Sequence, residues 1–231
     1  MWRKFLPSVL VRQLRPACSG QYSLVPVSRV FGLDRGKPVD RYYIEKFLSS
    51  HASMMKGSVL EVGGLDYTRR FAPQALGGAR ILDFRRAADG MAVVADLSRP
   101  DDCPAEIADC FVCTHTFNFI FDVAAAARSS WKLLKPGGTL LATVAAITQI
   151  SQYDCERWGD YWRFTPDSVR RIFQPVFGDG LEISSFGNLA AAIALLRGEA
   201  VEDLPDPSVL GGADPDYPIV IALVARKAGK C

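Results

Sequence analysis

The chain has 231 residues, of which 49% are apolar and 23% are charged, and its formal net charge is +2. These proportions are typical of a globular protein, and the length is sufficient for one well-packed core, so we expect a single domain. Five of the 27 basic residues lie in the first 33 positions, where there is no acidic residue, which leaves 22 basic against 25 acidic residues elsewhere. Because the body has no basic field of the kind that holds nucleic acid, we expect no nucleic-acid partner.

Residues 1–33 form a basic N-terminal arm, ahead of a domain that we expect over residues 34–231. The arm mixes arginines with large apolar residues such as Trp2 and Phe5. This pattern suits a loosely packed arm, peripheral contact with an anionic membrane surface, or a targeting segment. Nowhere does the sequence have the run of about 18 apolar residues that a membrane span needs, and we expect a cytoplasmic protein.

Strand and helix signals alternate along the rest of the chain. Runs rich in apolar and β-branched residues predict seven strands, at 58–62, 79–84, 91–96, 109–115, 138–146, 181–186 and 217–226. Amphipathic or apolar segments predict helices at 40–51, 121–134, 165–177 and 188–198. Strands that alternate with helices indicate an α/β fold with a mostly parallel, doubly wound sheet.

The six cysteines show no spacing typical of a disulfide framework. Cys110 and Cys113 form a C-x-x-C pair, but both lie in the predicted strand 109–115, where positions three apart point to opposite faces. We therefore expect reduced, mostly buried thiols and no shared metal or disulfide. The sequence also contains no metal-binding motif such as H-E-x-x-H.

Acidic residues and glycines stand at the ends of the first three predicted strands. Gly63 and Gly64 follow Glu61, whereas Asp83 and Asp96 end the second and third strands. Open α/β sheets bind ligands at the carboxyl ends of their strands, and an acid near the end of the second strand is typical of ribose recognition. Glycine permits a sharp turn and a close approach to a ligand, and we expect the next helix to direct its N–H groups at that ligand. The set predicts a nucleoside site.

The segment WKLLKPGGTLLATV, residues 131–144, adds a helix that ends in L-K-P-G-G before the fifth predicted strand. Together with the residues at the strand ends, it resembles the class I methyltransferases that use S-adenosylmethionine. The resemblance covers roughly residues 40–226 and is closest to a type 11-like branch associated with polysaccharide biosynthesis, whose members are similar in DRYYIEKFL, WGDYWRFTPDS and DPDYPIVIALVARK. It implies a Rossmann-like sheet of seven strands in which the last strand is antiparallel.

The resemblance also implies S-adenosylmethionine as the cofactor and a set of residues that binds it. The set consists of Glu61, Gly63 and Gly64 beside the methionine part, Asp83 at the ribose, and Asp96 with Leu97 near the adenine. Two positions depart from the family pattern, because the glycine loop reads EVGGLDY instead of E-x-G-x-G-x-G and FNF (117–119) replaces L-E-H. Either change is consistent with a reshaped pocket or with a domain that no longer methylates.

Two other functions are compatible with such a sheet. An NAD-dependent oxidoreductase is one, and residues 42–46 read Y-x-x-x-K, but this match precedes the first strand and no G-x-G-x-x-G is present. A non-catalytic methyltransferase-like binding module is the other, because a fold does not fix a function. Affinity for S-adenosylmethionine, for NAD or for neither separates the three.

Methyl transfer to an alcohol needs an acceptor held in line with the methyl group and a base that takes the hydroxyl proton. His115, one of two histidines, follows the fourth strand and is a candidate catalytic base, although it could instead only hydrogen-bond a loop. Asp154 and Asp160 are alternative catalytic bases, or carboxylates of a solvated loop.

Residues 150–165 follow the fifth strand and interleave aromatic side chains with charged ones. Aromatic faces combined with carboxylates and guanidiniums suit a sugar or another polyhydroxylated ring. We expect Tyr153 and Trp158 to contact the acceptor, whereas Trp162 and Phe164 either join them or anchor the loop. The predicted reaction is O-methylation of a small polar or glycan-type acceptor.

Overall fold

The computed structural model describes residues 23–84 and 92–229, which form one seven-stranded sheet with helices on both faces. The strands are β1 (Val59–Val62), β2 (Arg80–Asp83), β3 (Ala92–Val94), β4 (Ala108–Thr114), β5 (Leu134–Ala145), β6 (Leu181–Phe186) and β7 (Val220–Arg226). Their order across the sheet is β3-β2-β1-β4-β5-β7-β6. Strand β7 pairs antiparallel with β5 and β6, and the other pairs are parallel. The predicted Rossmann-like sheet with an antiparallel last strand is confirmed.

The α-helices in the described ranges are α1 (Val39–Ser50), α2 (Asp66–Phe71), α3 (Val123–Leu133), α4 (Gln152–Cys155), α5 (Pro166–Phe177) and α6 (Leu189–Arg197). Each predicted helix is present within two residues of its predicted ends. Helix α5 begins with a capping box, in which the Thr165 hydroxyl accepts a hydrogen bond from the Ser168 N–H and Ser168 bonds back to Thr165. Among the described residues, no helix combines the length and the apolar character that crossing a membrane requires.

The sheet separates two apolar cores. Helices α3 and α5 pack on one face, and α1, α2 and α6 pack on the other. Strand β4 contributes Phe111 and Cys113 to the first core and Cys110 and Val112 to the second. The thiols of Cys110 and Cys113 therefore lie on opposite faces, as predicted, and burial raises the pKa of each to about 12.

Strand β5 begins at Leu134, four residues earlier than predicted, because the L-K-P-G-G turn forms a bulge within the strand. Leu134 pairs with Ala108, and the next pair in register joins Thr139 to Cys110. A Cβ on Gly138 would lie 3.1 Å from the Ala108 carbonyl oxygen, so the close approach of the two strands requires glycine there.

Residues 23–38, termed the N-terminal strap, lie along the domain. The Val27 N–H donates to the Arg197 carbonyl oxygen (2.8 Å), and the Gln149 side-chain amide donates to the Arg29 carbonyl oxygen (2.7 Å). The first 22 residues of the predicted basic arm lie outside the described residues, so its membrane or targeting role stays a prediction.

Candidate functional site

A large cavity of about 990 Å³ lies at the carboxyl ends of β1, β2, β3 and β4. This is the edge at which open α/β sheets bind their ligands. Its walls come from the four strand ends, from the turn after β4 and from the chain around α4. The lining residues include Gly63, Asp83, Phe84, Asp96, Leu97, His115, Asp154 and Trp158. The fold thus brings the strand ends that predict a nucleoside site to one cavity.

Gly63 turns the chain at the end of β1 and faces the large cavity. Its φ of 76° lies in the left-handed region that favours glycine. Its N–H donates to the Leu82 carbonyl oxygen (3.1 Å), and among the described residues no heavy atom would lie within 4 Å of a Cβ built on it. The residue therefore makes the turn and also leaves space in which a ligand can approach the backbone. Gly64 is not among the residues that line the cavity.

Glu61 is buried at the end of β1 and holds the start of α2. Its carboxylate accepts hydrogen bonds from the N–H groups of Tyr67 (3.0 Å) and Thr68 (2.8 Å) and from the Thr68 hydroxyl (2.7 Å). Burial raises the pKa of this carboxyl, and the hydrogen bonds from Thr68 oppose the rise. The expectation that the helix after β1 directs these N–H groups at a ligand is wrong, because they point at Glu61.

Asp83 and Asp96 place carboxylates at the ends of β2 and β3, on the wall of the large cavity. Asp96 Oδ1 accepts hydrogen bonds from the N–H (2.8 Å) and the hydroxyl (2.7 Å) of Ser98, which fixes its orientation. The Phe84 ring, directly after Asp83, meets the Trp158 ring edge to face with the centroids 5.9 Å apart. The cavity therefore offers carboxylate acceptors for hydroxyl or amino donors beside flat apolar surfaces.

A small cavity of about 330 Å³ adjoins the large one, since His115, Phe119 and Asp154 line both. Its other walls come from the N-terminal strap, from the start of α1 and from the chain after β5. They include Phe31, Leu33, Asp40, Arg41, Thr148, Asp160 and Arg163. The motifs DRYYIEKFL and WGDYWRFTPDS, which are far apart in the sequence, meet at this cavity.

His115 stands between the two cavities, directly after β4. Its φ of 45° lies in the left-handed region, which is uncommon for a residue other than glycine and is often found at functional sites. Its Nδ1 lies 3.7 Å from Asp40 Oδ2, and its Nε2 is buried with no hydrogen-bond partner among the described residues. Burial lowers the pKa of the imidazole; Asp40 opposes this effect, and Arg163 and Arg41 add to it. The ring is therefore neutral at neutral pH.

Asp160 and Asp154 are engaged in hydrogen bonds that organise their segment. Asp160 accepts from Arg163 at Oδ1 (2.6 Å) and Oδ2 (2.9 Å) and from the Ser151 N–H (3.0 Å). Burial disfavours the ionised form of Asp160, but the hydrogen bonds outweigh burial and lower its pKa. Asp154 accepts from the Ser151 hydroxyl (2.6 Å) and from Trp158 Nε1 (3.0 Å).

The two predicted acceptor contacts occupy different places. Trp158 lines the large cavity together with Asp83, whereas Tyr153 is 62% exposed and lines neither cavity. The Arg157 guanidinium lies 3.5 Å above the Tyr153 ring. Phe164 is buried in the core with the apolar residues of α5, so it anchors the loop. The structure thus places Trp158 on the Asp83 side and Tyr153 at the surface.

Sequence reasoning misses Asp40, Phe84 and Thr148, although each lines one of the cavities. Asp40 is the first residue of the DRYYIEKFL motif. An acidic residue in the first turn of a predicted helix is the signal in the sequence that could have identified it. Thr148 follows β5 and has a buried hydroxyl oxygen with no hydrogen-bond partner in the described ranges, a feature that only a structure reveals.

Residues 49–142 match a family model described as a methyltransferase domain. An S-adenosylmethionine-dependent methyltransferase from Mesorhizobium loti is 16% identical, with a TM-score of 0.52 over 82% of this chain and 98% of that one. N-methyltransferase NodS from Bradyrhizobium japonicum WM9, solved with S-adenosyl-L-homocysteine, is 18% identical, with a TM-score of 0.50 over 84% and 89%. The [4+2]-cyclase SpnF is 14% identical, with a TM-score of 0.53 over 91% and 89%.

No curated protein sequence matches the chain. At these identities the solved structures show a shared fold, and a cyclase among them demonstrates that this fold alone does not fix the reaction. The sequence match to the methyltransferase domain is what indicates the reaction class.

Proposed function

We propose that this chain, an S-adenosylmethionine-dependent methyltransferase of the class I superfamily, methylates a hydroxyl group of a small polyhydroxylated acceptor bound in the small cavity. The observation that carries the proposal is the position of His115, which lines both cavities with its Nε2 buried and without a partner among the described residues. A base at the junction can reach a proton on an acceptor in one cavity beside a cofactor in the other.

The large cavity suits the cofactor. Asp83 and Asp96 offer carboxylates to the ribose hydroxyls and to donors on the adenine, and Leu97 adds apolar surface. The open space at Gly63 admits a ligand against the backbone, and Glu61 supports this loop from beneath through α2. When bound, S-adenosylmethionine supplies a methyl group made electrophilic by its sulfonium.

The small cavity suits a compact polar acceptor. Its volume of about 330 Å³ is at the lower end of ligand pockets. His115 Nε2 and Thr148 Oγ1 are unpartnered within the described part of the chain, so both are available for hydrogen bonds, and Phe31 and Phe119 add aromatic walls. Polar atoms between aromatic faces favour a sugar ring or a related polyol, which supports a role in polysaccharide biosynthesis.

His115 is better suited than the nearby carboxylates to act as the base. Because its imidazole is neutral at neutral pH, Nε2 can take up the hydroxyl proton as the acceptor oxygen is methylated. Asp160 is bound by Arg163 and has a lowered pKa, so it is a weaker base.

Labelled methyl transfer tests the proposal. Purified protein is incubated with S-adenosylmethionine carrying a labelled methyl group and with an extract of polar metabolites and saccharides, and mass spectrometry identifies the labelled product. We expect an O-methylated polyol. His115→Asn, chosen because asparagine tolerates the left-handed backbone, should slow transfer by about 10² to 10⁴ and leave affinity for S-adenosylhomocysteine within about twofold.

The matched control is His51→Asn, which changes the other histidine, outside both cavities, and should transfer at the wild-type rate. Full activity of His115→Asn would remove His115 from the reaction. Tight cofactor binding with no labelled product would favour the alternative, a non-catalytic binding module.

A further inference from the structure

We infer that Asp40, the second residue of α1, is the positioning residue of His115, which orients the imidazole so that Nε2 faces the acceptor; this inference rests on the proposed role of His115. Asp40 Oδ2 lies 3.7 Å from His115 Nδ1. The two side chains are mostly withdrawn from solvent, with exposed fractions of 15% for Asp40 and 20% for His115. Both residues line the small cavity.

The geometry assigns different tasks to the two imidazole nitrogens. Nδ1 faces the carboxylate, and Nε2 is buried without a partner among the described residues. A carboxylate beside Nδ1 favours the tautomer with its proton there, which leaves the Nε2 lone pair free to accept the acceptor's proton. The separation of 3.7 Å is longer than a hydrogen bond, and such contacts often tighten once a substrate is bound.

The position of Asp40 is fixed by the packing of α1. Glu45 on the same helix is buried and pairs with Lys37 (2.6 Å) and with Arg70 of α2 (2.6 Å). Tyr43, Phe47 and other apolar residues of α1 belong to the core on that face of the sheet. Asp40 Oδ1 accepts a hydrogen bond from the Arg41 N–H (2.7 Å), so Oδ2 is the oxygen turned towards His115.

Charged groups from two elements act on His115. Asp40 and Arg41 belong to α1, and Arg163 lies in the segment that follows α4. Asp40 alone among the three favours the protonated imidazole, which would form when the base has taken up a proton. The same carboxylate therefore sets the tautomer before transfer and stabilises the cation after it.

Nuclear magnetic resonance of the full chain tests the inference without a known acceptor, because the chain has only two histidines, His51 and His115. The spectrum of His115→Asn assigns the two sets of imidazole signals. In the wild type, the ¹⁵N shifts should show His115 protonated at Nδ1. In Asp40→Asn the tautomer preference should be lost and the pKa of His115 should fall, since an opposite charge is removed, while the ¹⁵N signals of His51 should stay in place.

The control is Asp66→Asn, which changes an acid in the first turn of α2 that lines neither cavity and should leave both histidine signals as in the wild type. Asp40→Glu should restore the wild-type tautomer. A wild-type His115 protonated at Nε2, or an unchanged tautomer and pKa in Asp40→Asn, would overturn the inference. The wild-type measurement needs no variant, and the result does not depend on methyl transfer, so failure of the proposed reaction is seen separately in the labelling assay.

Discussion

The two cavities are built from different parts of the chain. Of the 20 described residues that line the large cavity, 16 lie within the methyltransferase-domain match at 49–142, whereas 5 of the 18 described residues that line the small cavity do so. The remaining walls of the small cavity come from the N-terminal strap, from α1, from the end of β5 and from the chain after β5. Under the proposed function, the segment that matches the methyltransferase domain thus builds most of the cofactor side, and the flanking segments build most of the acceptor side.

Asp83→Ala should weaken cofactor binding in the large cavity. Losing hydrogen bonds to a carboxylate costs about 1.5 to 3 kcal/mol each, which corresponds to about tenfold to hundredfold weaker binding of S-adenosylhomocysteine. Calorimetric titration measures this, with Asp179→Ala, an exposed acid on the turn after α5, as the control. Equal affinity in Asp83→Ala and the wild type would place the cofactor elsewhere.

Trp158→Ala tests whether the division between the two sides is sharp, because Trp158 comes from a flanking segment yet packs against Phe84 in the large cavity. An aromatic pair contributes about 0.5 to 1.5 kcal/mol, so we expect roughly twofold to tenfold weaker binding of S-adenosylhomocysteine and slower transfer. Trp131→Ala, which lines neither cavity, is the control. Slower transfer with unchanged affinity for S-adenosylhomocysteine would instead indicate that Trp158 contacts the acceptor, as the sequence predicts.

The rate of methyl transfer and the free energy of unfolding should both depend on pH through the protonation of His115. Burial lowers its pKa below the usual 6.5, so methyl transfer should persist at mildly acidic pH and fall only as pH drops through that lowered value. The unfolded chain takes up the proton at the usual pKa, so the free energy of unfolding should decrease as pH falls below 6.5 and be independent of His115 above it.

Chemical denaturation of the wild type and His115→Asn at about pH 7.5 and about pH 5.5, on either side of the usual histidine pKa, measures the second effect. The wild type should lose more stability on acidification than the variant. Identical losses would mean that His115 is protonated to the same extent in the folded and unfolded chains.

Truncation of the N-terminus should have the smallest effect on the cofactor side. We expect chains that lack residues 1–22 or 1–29 to bind S-adenosylhomocysteine within about twofold of the wild type. The longer deletion also removes Val27 and Arg29, which make two hydrogen bonds between the strap and the domain, with Arg197 and with Gln149. At about 0.5 to 1.5 kcal/mol for each hydrogen bond, it should lower the free energy of unfolding by about 1 to 3 kcal/mol. Loss of cofactor binding in the folded truncation would show that the strap reaches the large cavity.

The sequence predicts the sheet well because strand burial, helix caps and glycine turns are local signals. The apolar runs predict β4 and β6, and Thr165 marks the start of α5. The L-K-P-G-G motif misleads at β5, since a bulge that continues a strand and a turn that ends a helix use the same residues. Only the pairing with β4 distinguishes them.

The candidate site is less predictable, because it depends on contacts between segments. Asp83 and Asp96 follow from their places at strand ends, but the approach of Asp40 to His115 joins residues 75 positions apart in the chain. Glu61 shows a second limit of prediction from the sequence. It stands at the expected position, but its side chain turns inward and binds the start of α2, and the periodicity of the sequence does not reveal this orientation.

The unequal burial of the thiols makes the chain suitable for site-directed labelling. Cys103, Cys110 and Cys113 are buried, and Cys155 is the exposed cysteine among the described residues, whereas Cys18 and Cys231 lie outside them. With Cys18 and Cys231 replaced by serine, a maleimide fluorophore should react at Cys155, because a buried thiol of pKa about 12 yields little thiolate. Cys155 ends the short helix that carries Asp154, a residue of both cavities. Because the fluorophore would lie beside Asp154, we expect its emission to change when a ligand binds in either cavity.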